Sequence, residues 1–143
     1  MAISFDTCIM VSRKPELLPS KYLTSIVVVQ ELIAGAADAS VVRRWIAFAQ
    51  QADKLDRLLV PTVQDWIEAG KILNSLLRGL KAKNKGKTPR LPGQEKQRMI
   101  RDVLIARTVK RAGAVLVTDN VDDFRKIRQF CNIRIKTGRE FFG

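Results

Sequence analysis

The chain of 143 residues is 46% hydrophobic and carries 26 Lys+Arg against 14 Asp+Glu, which suits one folded domain with a sizeable core. It has no run of the ~20 apolar residues that span a membrane and no basic-then-apolar start of a signal peptide. The absence of His excludes Ser-His-Asp and Cys-His catalysis and His-rich zinc sites. Cys8 and Cys131 form neither a disulfide framework nor a metal-ligand spacing, so a reducing cytoplasm is expected.

A net charge of +12 favours an anionic partner, whether nucleic acid, an acidic protein or an anionic surface. In chain order, Ile3-Ser4-Phe5 reads as a short strand ending at Asp6-Thr7, with Cys8-Ile9-Met10-Val11 extending the apolar run. Arg13 to Leu18 reads as a polar turn or short helix closed by Pro19. Leu23 to Ile26 is expected as a brief extended segment and Val27 to Ala37 as a helix. On that helix Glu31 shares an inward face with Val27, Val28, Leu32 and Gly35.

Ser40 is expected to cap the next helix, whose apolar stripe is Val41, Trp45, Phe48, Ala52, Leu55 and Leu59. Leu58 to Val60 is a second short strand stopped by Pro61. Thr62 with Asp65 three residues on is a capping-box start. The helix that follows is expected to bury Val63, Trp66, Ile67, Gly70, Leu73, Leu77 and Leu80. Lys81 to Gly93 reads as a basic loop, with Lys or Arg at five of its first ten positions. Helix resumes from Gln94 to Ala112 and is stopped by Gly113. Ala114 to Val117 is a buried strand, Val121 to Arg128 a short helix, Ile133 to Ile135 an edge strand, and Gly138 to Gly143 a tail. Short apolar strands alternating with helices predict a single three-layer α/β/α domain over 1–143 around a central, mostly parallel sheet. In such sheets, functional groups gather beyond the carboxyl ends of the strands.

The carboxylates fall at those ends or on inward faces. Asp6 closes the first strand. Asp102 lies three, four and seven residues before Ile105, Ala106 and Val109, so it points where they point. Asp119, Asn120 and Asp123 follow the strand Ala114 to Val117, where one member of the cluster can equally serve as a helix cap. Carboxylates converging on a partly buried site repel one another and lose solvation. A divalent cation relieves both costs, and oxygen-only ligands favour Mg²⁺ or Mn²⁺. Such a cation beside a basic surface that attracts a polyanion points to phosphodiester hydrolysis.

Four segments in order, Ile3-Ser4-Phe5-Asp6-Thr7, Val29-Gln30-Glu31-Leu32-Ile33-Ala34-Gly35, Asp102-Val103-Leu104-Ile105-Ala106 and Val117-Thr118-Asp119-Asn120-Val121-Asp122-Asp123-Phe124, resemble the PIN-domain ribonucleases, and among them the VapC-type toxins of toxin–antitoxin pairs. The resemblance implies a PIN-like fold and Mg²⁺- or Mn²⁺-dependent endoribonuclease activity on tRNA, rRNA or mRNA. It also implies a homodimer and an antitoxin partner with an acidic or hydrophobic segment that obstructs the site. Asp6, Glu31 and Asp102 match the family's first three acidic positions. Thr118, Asn120, Asp123 and Phe124 match its Thr-x-Asn-x-x-Asp-Phe variant, which favours Asp123 as the fourth acid and leaves Asp119 and Asn120 as alternatives. On this reading Asp6 and Asp102 are the primary metal ligands, and Glu31 completes the shell or orients water. Arg107, Lys83, Lys85 and Lys87 are weaker candidates for phosphate contact. A non-catalytic RNA- or DNA-binding module with structural carboxylates is the alternative from another class, and a phosphatase-like domain with Asp6 as nucleophile is a third.

Overall fold

The structure is a computed structural model that describes residues 1–87 and 93–143. In chain order its elements begin β1 (Ile3–Phe5), α1 (Thr7–Ser12), a 3-10 turn (Pro15–Leu17), β2 (Thr24–Ser25), α2 (Ile26–Ala34), α3 (Ala39–Lys54) and β3 (Leu58–Leu59). They continue with α4 (Val63–Lys83), α5 (Gly93–Ala112), β4 (Val115–Val117), α6 (Val121–Arg128), β5 (Arg134–Lys136) and α7 (Gly138–Phe142).

All strand pairs are parallel. One sheet runs β1-β4-β5, β2 pairs with β3, and a bridge between Ser4 and Leu23 links the two. β4 is buried at every residue, as a strand covered on both faces must be, whereas the edge strand β5 is exposed at both ends. Phe5, Val103, Ile105, Leu116, Val117 and Phe124 form the centre of the core. This is the expected three-layer α/β/α class. Among the described residues no helix is long and apolar enough to cross a membrane.

The register positions the site. Phe5 lies opposite Val117, and the Asp6 N–H continues the ladder to the Val117 carbonyl at 3.0 Å. Asp6 and Thr118 therefore leave the sheet side by side, just past the carboxyl ends of two adjacent strands.

Several local expectations are corrected. The apolar run Cys8 to Val11 forms most of α1, because Asp6 stops β1 and accepts the Thr7 N–H at 2.8 Å as a helix cap. α2 ends at Ala34, with Gly35 as its cap, rather than at Ala37. Asp38, not Ser40, caps α3, because its carboxylate takes the N–H groups of both Ser40 and Val41. α4 runs to Lys83, so the basic segment begins as helix, and the rest of the expected loop from residue 88 to 92 lies outside the described residues. The final segment is the helix α7, closed by a Thr137–Glu140 capping box, with the rings of Phe141 and Phe142 packed on Phe5.

The largest correction concerns the rotation of α4. Its buried row is Asp65, Ala69 and Ile72, with Leu73 and Leu76 packed against the core. Val63, Trp66 and Ile67 are more than half exposed, so Trp66 is not the core residue that its spacing suggested. Asp65 sets this rotation. Its fully buried carboxylate receives Arg111 Nε at 2.9 Å and Arg107 Nη2 at 3.3 Å while also closing the capping box with Thr62. A rotation that buried Val63 and Trp66 instead would separate Asp65 from both arginines, and breaking a buried pair is costly.

Candidate active site

Asp6 is buried at the end of β1 and engages both carboxylate oxygens. Oδ1 accepts the Thr7 N–H, and Oδ2 accepts the Thr118 hydroxyl at 2.7 Å and the Cys8 thiol at 3.6 Å. Burial raises its pKa, with Asp119 adding to the rise, against the opposing hydrogen bonds from Thr118 and Thr7. Thr118 is itself fully buried and accepts the Asn120 N–H at 3.0 Å, so the β4 exit is tied to the β1 exit through one hydroxyl.

Asp102 approaches from α5. Ile105, Ala106 and Val109 are all fully buried, and the same helix face carries Asp102, only 5% exposed, to the edge of the core. Among the described residues its carboxylate accepts a single, long hydrogen bond, from Asn120 Nδ2 at 3.4 Å. Burial, and after it the charges of Asp6, Asp123 and Glu31, push its pKa up to about 8. A group that weakly bonded holds a proton at neutral pH unless a cation replaces it.

Glu31 reaches in from α2, half-buried. It accepts the Thr7 hydroxyl at 3.2 Å and pairs with Arg101 at 3.6 Å. Burial raises its pKa, as does Asp6, against Thr7, Arg101 and Arg98. Asp123 stands in the first turn of α6, partly exposed, and borders the same cleft as Asp102.

The fourth-position candidates separate by partner. Asp119 Oδ1 accepts the Gly138 N–H at 2.8 Å and anchors α7. Asn120 occupies the cap position of α6 without a capping hydrogen bond and spends its amide on Asp102. Arg107 does not join the cluster, because it is committed to Asp65 on the other side of α5. Lys83 borders the cleft beside Asp102, whereas Lys85 and Lys87 are exposed on the turn after α4. Sequence reasoning assigned no role to Cys8, Arg98 or Arg101, nor to the bond that Thr118 makes to Asp6. The first three carried no motif, and the last joins residues 112 positions apart.

Asp65 provides an internal contrast. Burial raises its pKa too, but the Thr62 N–H and Arg111 outweigh that, and the carboxyl ends below its ordinary value. Asp65 is held by two arginines, while Asp102 is pushed up by Asp6, Asp123 and Glu31, and Glu31 by Asp6. Their donors are all oxygen, which suits a hard divalent cation. Among the described residues no group of three or more Cys, Asp or Glu side chains is placed to hold a metal ion by itself.

No protein-family model matches the chain, and no curated protein matches it. Solved structures do. The DNA-bound VapBC structure from Salmonella typhimurium is 26% identical, with 96% of this chain and 98% of that one covered at a TM-score of 0.56. VapBC-1 from nontypeable Haemophilus influenzae is 24% identical, with the same coverage and a TM-score of 0.54. VapBC2 from Rickettsia felis, bound to a promoter DNA fragment, is 17% identical, again over 96% and 98%, at 0.56. The chain has the PIN-domain fold of the VapC type, as its four acidic segments implied.

Proposed function

We propose that the protein is a divalent-metal-dependent endoribonuclease and the toxin of a toxin–antitoxin pair. The observation that carries this reading is Asp102, buried beyond the strand ends of a strongly basic chain and crowded by the charges of Asp6, Asp123 and Glu31. Asp6 and Asp102 are the residues that would hold Mg²⁺ or Mn²⁺, which fits a cation that takes one or two carboxylates and keeps several waters. When bound, such a cation neutralises a phosphate oxygen and lowers the pKa of a coordinated water.

The chain's own groups do the rest. Thr118 and the Thr7 N–H aim the two oxygens of Asp6, and Asn120 steadies Asp102. Glu31, fixed by Thr7, is placed to orient the attacking water, and Asp123 supports the outer shell. Asp102, whose carboxyl is pushed up to about 8, would have to be deprotonated to hold such a cation. A binding module with purely structural acids is disfavoured by the contrast between Asp65, paired with two arginines, and Asp102, crowded by the charges of Asp6, Asp123 and Glu31.

The likeness to structures solved as VapBC supports an antitoxin partner. The exposed row Val63, Trp66 and Ile67 supports the homodimer, because an apolar patch of that kind is suited to association. Incubating labelled RNA with purified protein, with Mg²⁺ or Mn²⁺ and with EDTA, tests the nuclease reading. Cleavage that persists in excess EDTA removes the metal from it.

A further inference from the structure

Asp6, Glu31, Asp102 and Asp123 are numerous enough to hold two divalent cations, an arrangement in which the metals stand about 3.5–4 Å apart between carboxylates. With Asp6 and Asp102 given to one ion, Glu31 and Asp123 are left for another. Glu31 is already engaged at both oxygens. The Thr7 hydroxyl donates to Oε1 at 3.2 Å, and Nε of Arg101 faces Oε2 at 3.6 Å. Asp123 shares its cleft wall with Arg98 and Lys126, so it too has cations beside it.

The pair between Arg101 and Glu31 differs from the structural pairs of this chain. Arg111 meets Asp65 at 2.9 Å in a hydrogen bond, whereas Arg101 stays beyond bonding reach of Glu31. Among the described residues Arg101 Nε is buried without a hydrogen-bond partner, so what Glu31 receives from it there is charge. That charge is permanent, because a guanidinium does not deprotonate in a protein. Arg98 acts on Glu31 in the same sense, while on Asp102 the charges of Asp6, Asp123 and Glu31 outweigh that of Arg98. The fixed cations thus serve Glu31 and leave Asp102 to be neutralised from outside. One divalent ion with the guanidiniums of Arg101 and Arg98 balances the four carboxylates. A second ion at Glu31 would lie against Arg101 in a half-buried place, where repulsion is poorly screened.

We infer that Arg101 stands in for a second cation at Glu31, so that the site takes one divalent ion instead of two. The inference rests on the metal-dependent nuclease reading for the presence of a cation, but ions are counted without cleavage.

The test titrates Mn²⁺ alone into the protein and follows the free ion by electron paramagnetic resonance. The parent is compared with Arg101→Met and Arg101→Gln, which keep much of the side chain's length and lose its charge; circular dichroism verifies each fold. The parent is expected to take up one ion per chain and each neutral variant two. Arg101→Lys keeps the charge and is expected to return the count to one. Arg101→Met combined with Glu31→Gln is expected to do the same. A merely structural role for Arg101 would not separate Lys from Met in this count. Two ions in the parent overturn the inference, as does one ion in both folded neutral variants. So does a second ion in Arg101→Met that survives Glu31→Gln. The two readings fail separately. One ion in the parent and two in the neutral variants, with RNA left uncut in Mn²⁺, removes the nuclease and keeps the role of Arg101. Metal-dependent cleavage by a parent that binds two ions removes the role of Arg101 and keeps the nuclease.

Discussion

Replacing Asp102 by Asn is predicted to stabilise the metal-free protein at neutral pH, although it removes a proposed ligand. In the parent the carboxyl pKa is about 8 in the folded state, against an ordinary value of 3.8. Between those two values the folded state holds a proton that the unfolded state has released. Stability therefore falls as pH rises through the window, by about 1.4 kcal/mol per unit at most. From 3.8 to pH 7 the upper bound is about 4 kcal/mol, and since Asp6 and Glu31 share the repulsion, a gain of about 1–3 kcal/mol is expected for Asp102→Asn. Asn keeps the shape, and its carbonyl can still accept the long bond from Asn120. Urea unfolding in EDTA reads this as a midpoint shift of about 1 M at pH 7.5, shrinking toward zero near pH 4. Mg²⁺ should reverse the order by stabilising the parent and not the variant. A variant less stable than the parent at pH 7.5, or a difference that does not change with pH, refutes the reasoning.

Asp65, the buried acid paired with two arginines, should behave with the opposite sign. Asp65→Ala leaves the half-buried Arg107 without its partner and opens the α4 cap, so a loss of about 2–4 kcal/mol is expected in the same urea assay. Gly138→Ala places a methyl group 2.7 Å from Arg13 Nη2 and 3.0 Å from Asp119 Oδ1, and should cost about 1–2 kcal/mol by thermal or urea unfolding. Trp66→Glu should turn a dimer into a monomer in light scattering after size exclusion with little loss of stability, since Trp66 is more than half exposed. A parent that is already monomeric at that concentration removes this face from the account.

How far the sequence carried the reading depended on which residues held the information. Asp102 was legible because Ile105, Ala106 and Val109 repeat its phase on one helix, and all four are buried. β4 was legible because its run of apolar residues is bounded by Gly113 and the acidic exit. The rotation of α4 was not, since two stripes of equal period compete there. The choice between them is made by a pair from Asp65 to Arg111, 46 positions apart. The division of Asp119 from Asn120 and Asp123 was hidden for a similar reason. Cap and site residues are chemically alike, and what separates them is the Gly138 N–H, 19 positions downstream. The helical tail was legible in principle, because Thr137 and Glu140 repeat the motif that marks the start of α4.

The central claim is that Asp6 and Asp102 serve metal-dependent cleavage of RNA. Purified parent, Asp6→Asn and Asp102→Asn, each confirmed as folded, should be compared on end-labelled RNA with Mn²⁺, with Mg²⁺ and with EDTA. Internal cuts by the parent that require the cation and disappear in both variants are the predicted result. Variants that cut as fast as the parent, or parent cleavage unaffected by EDTA, would contradict it.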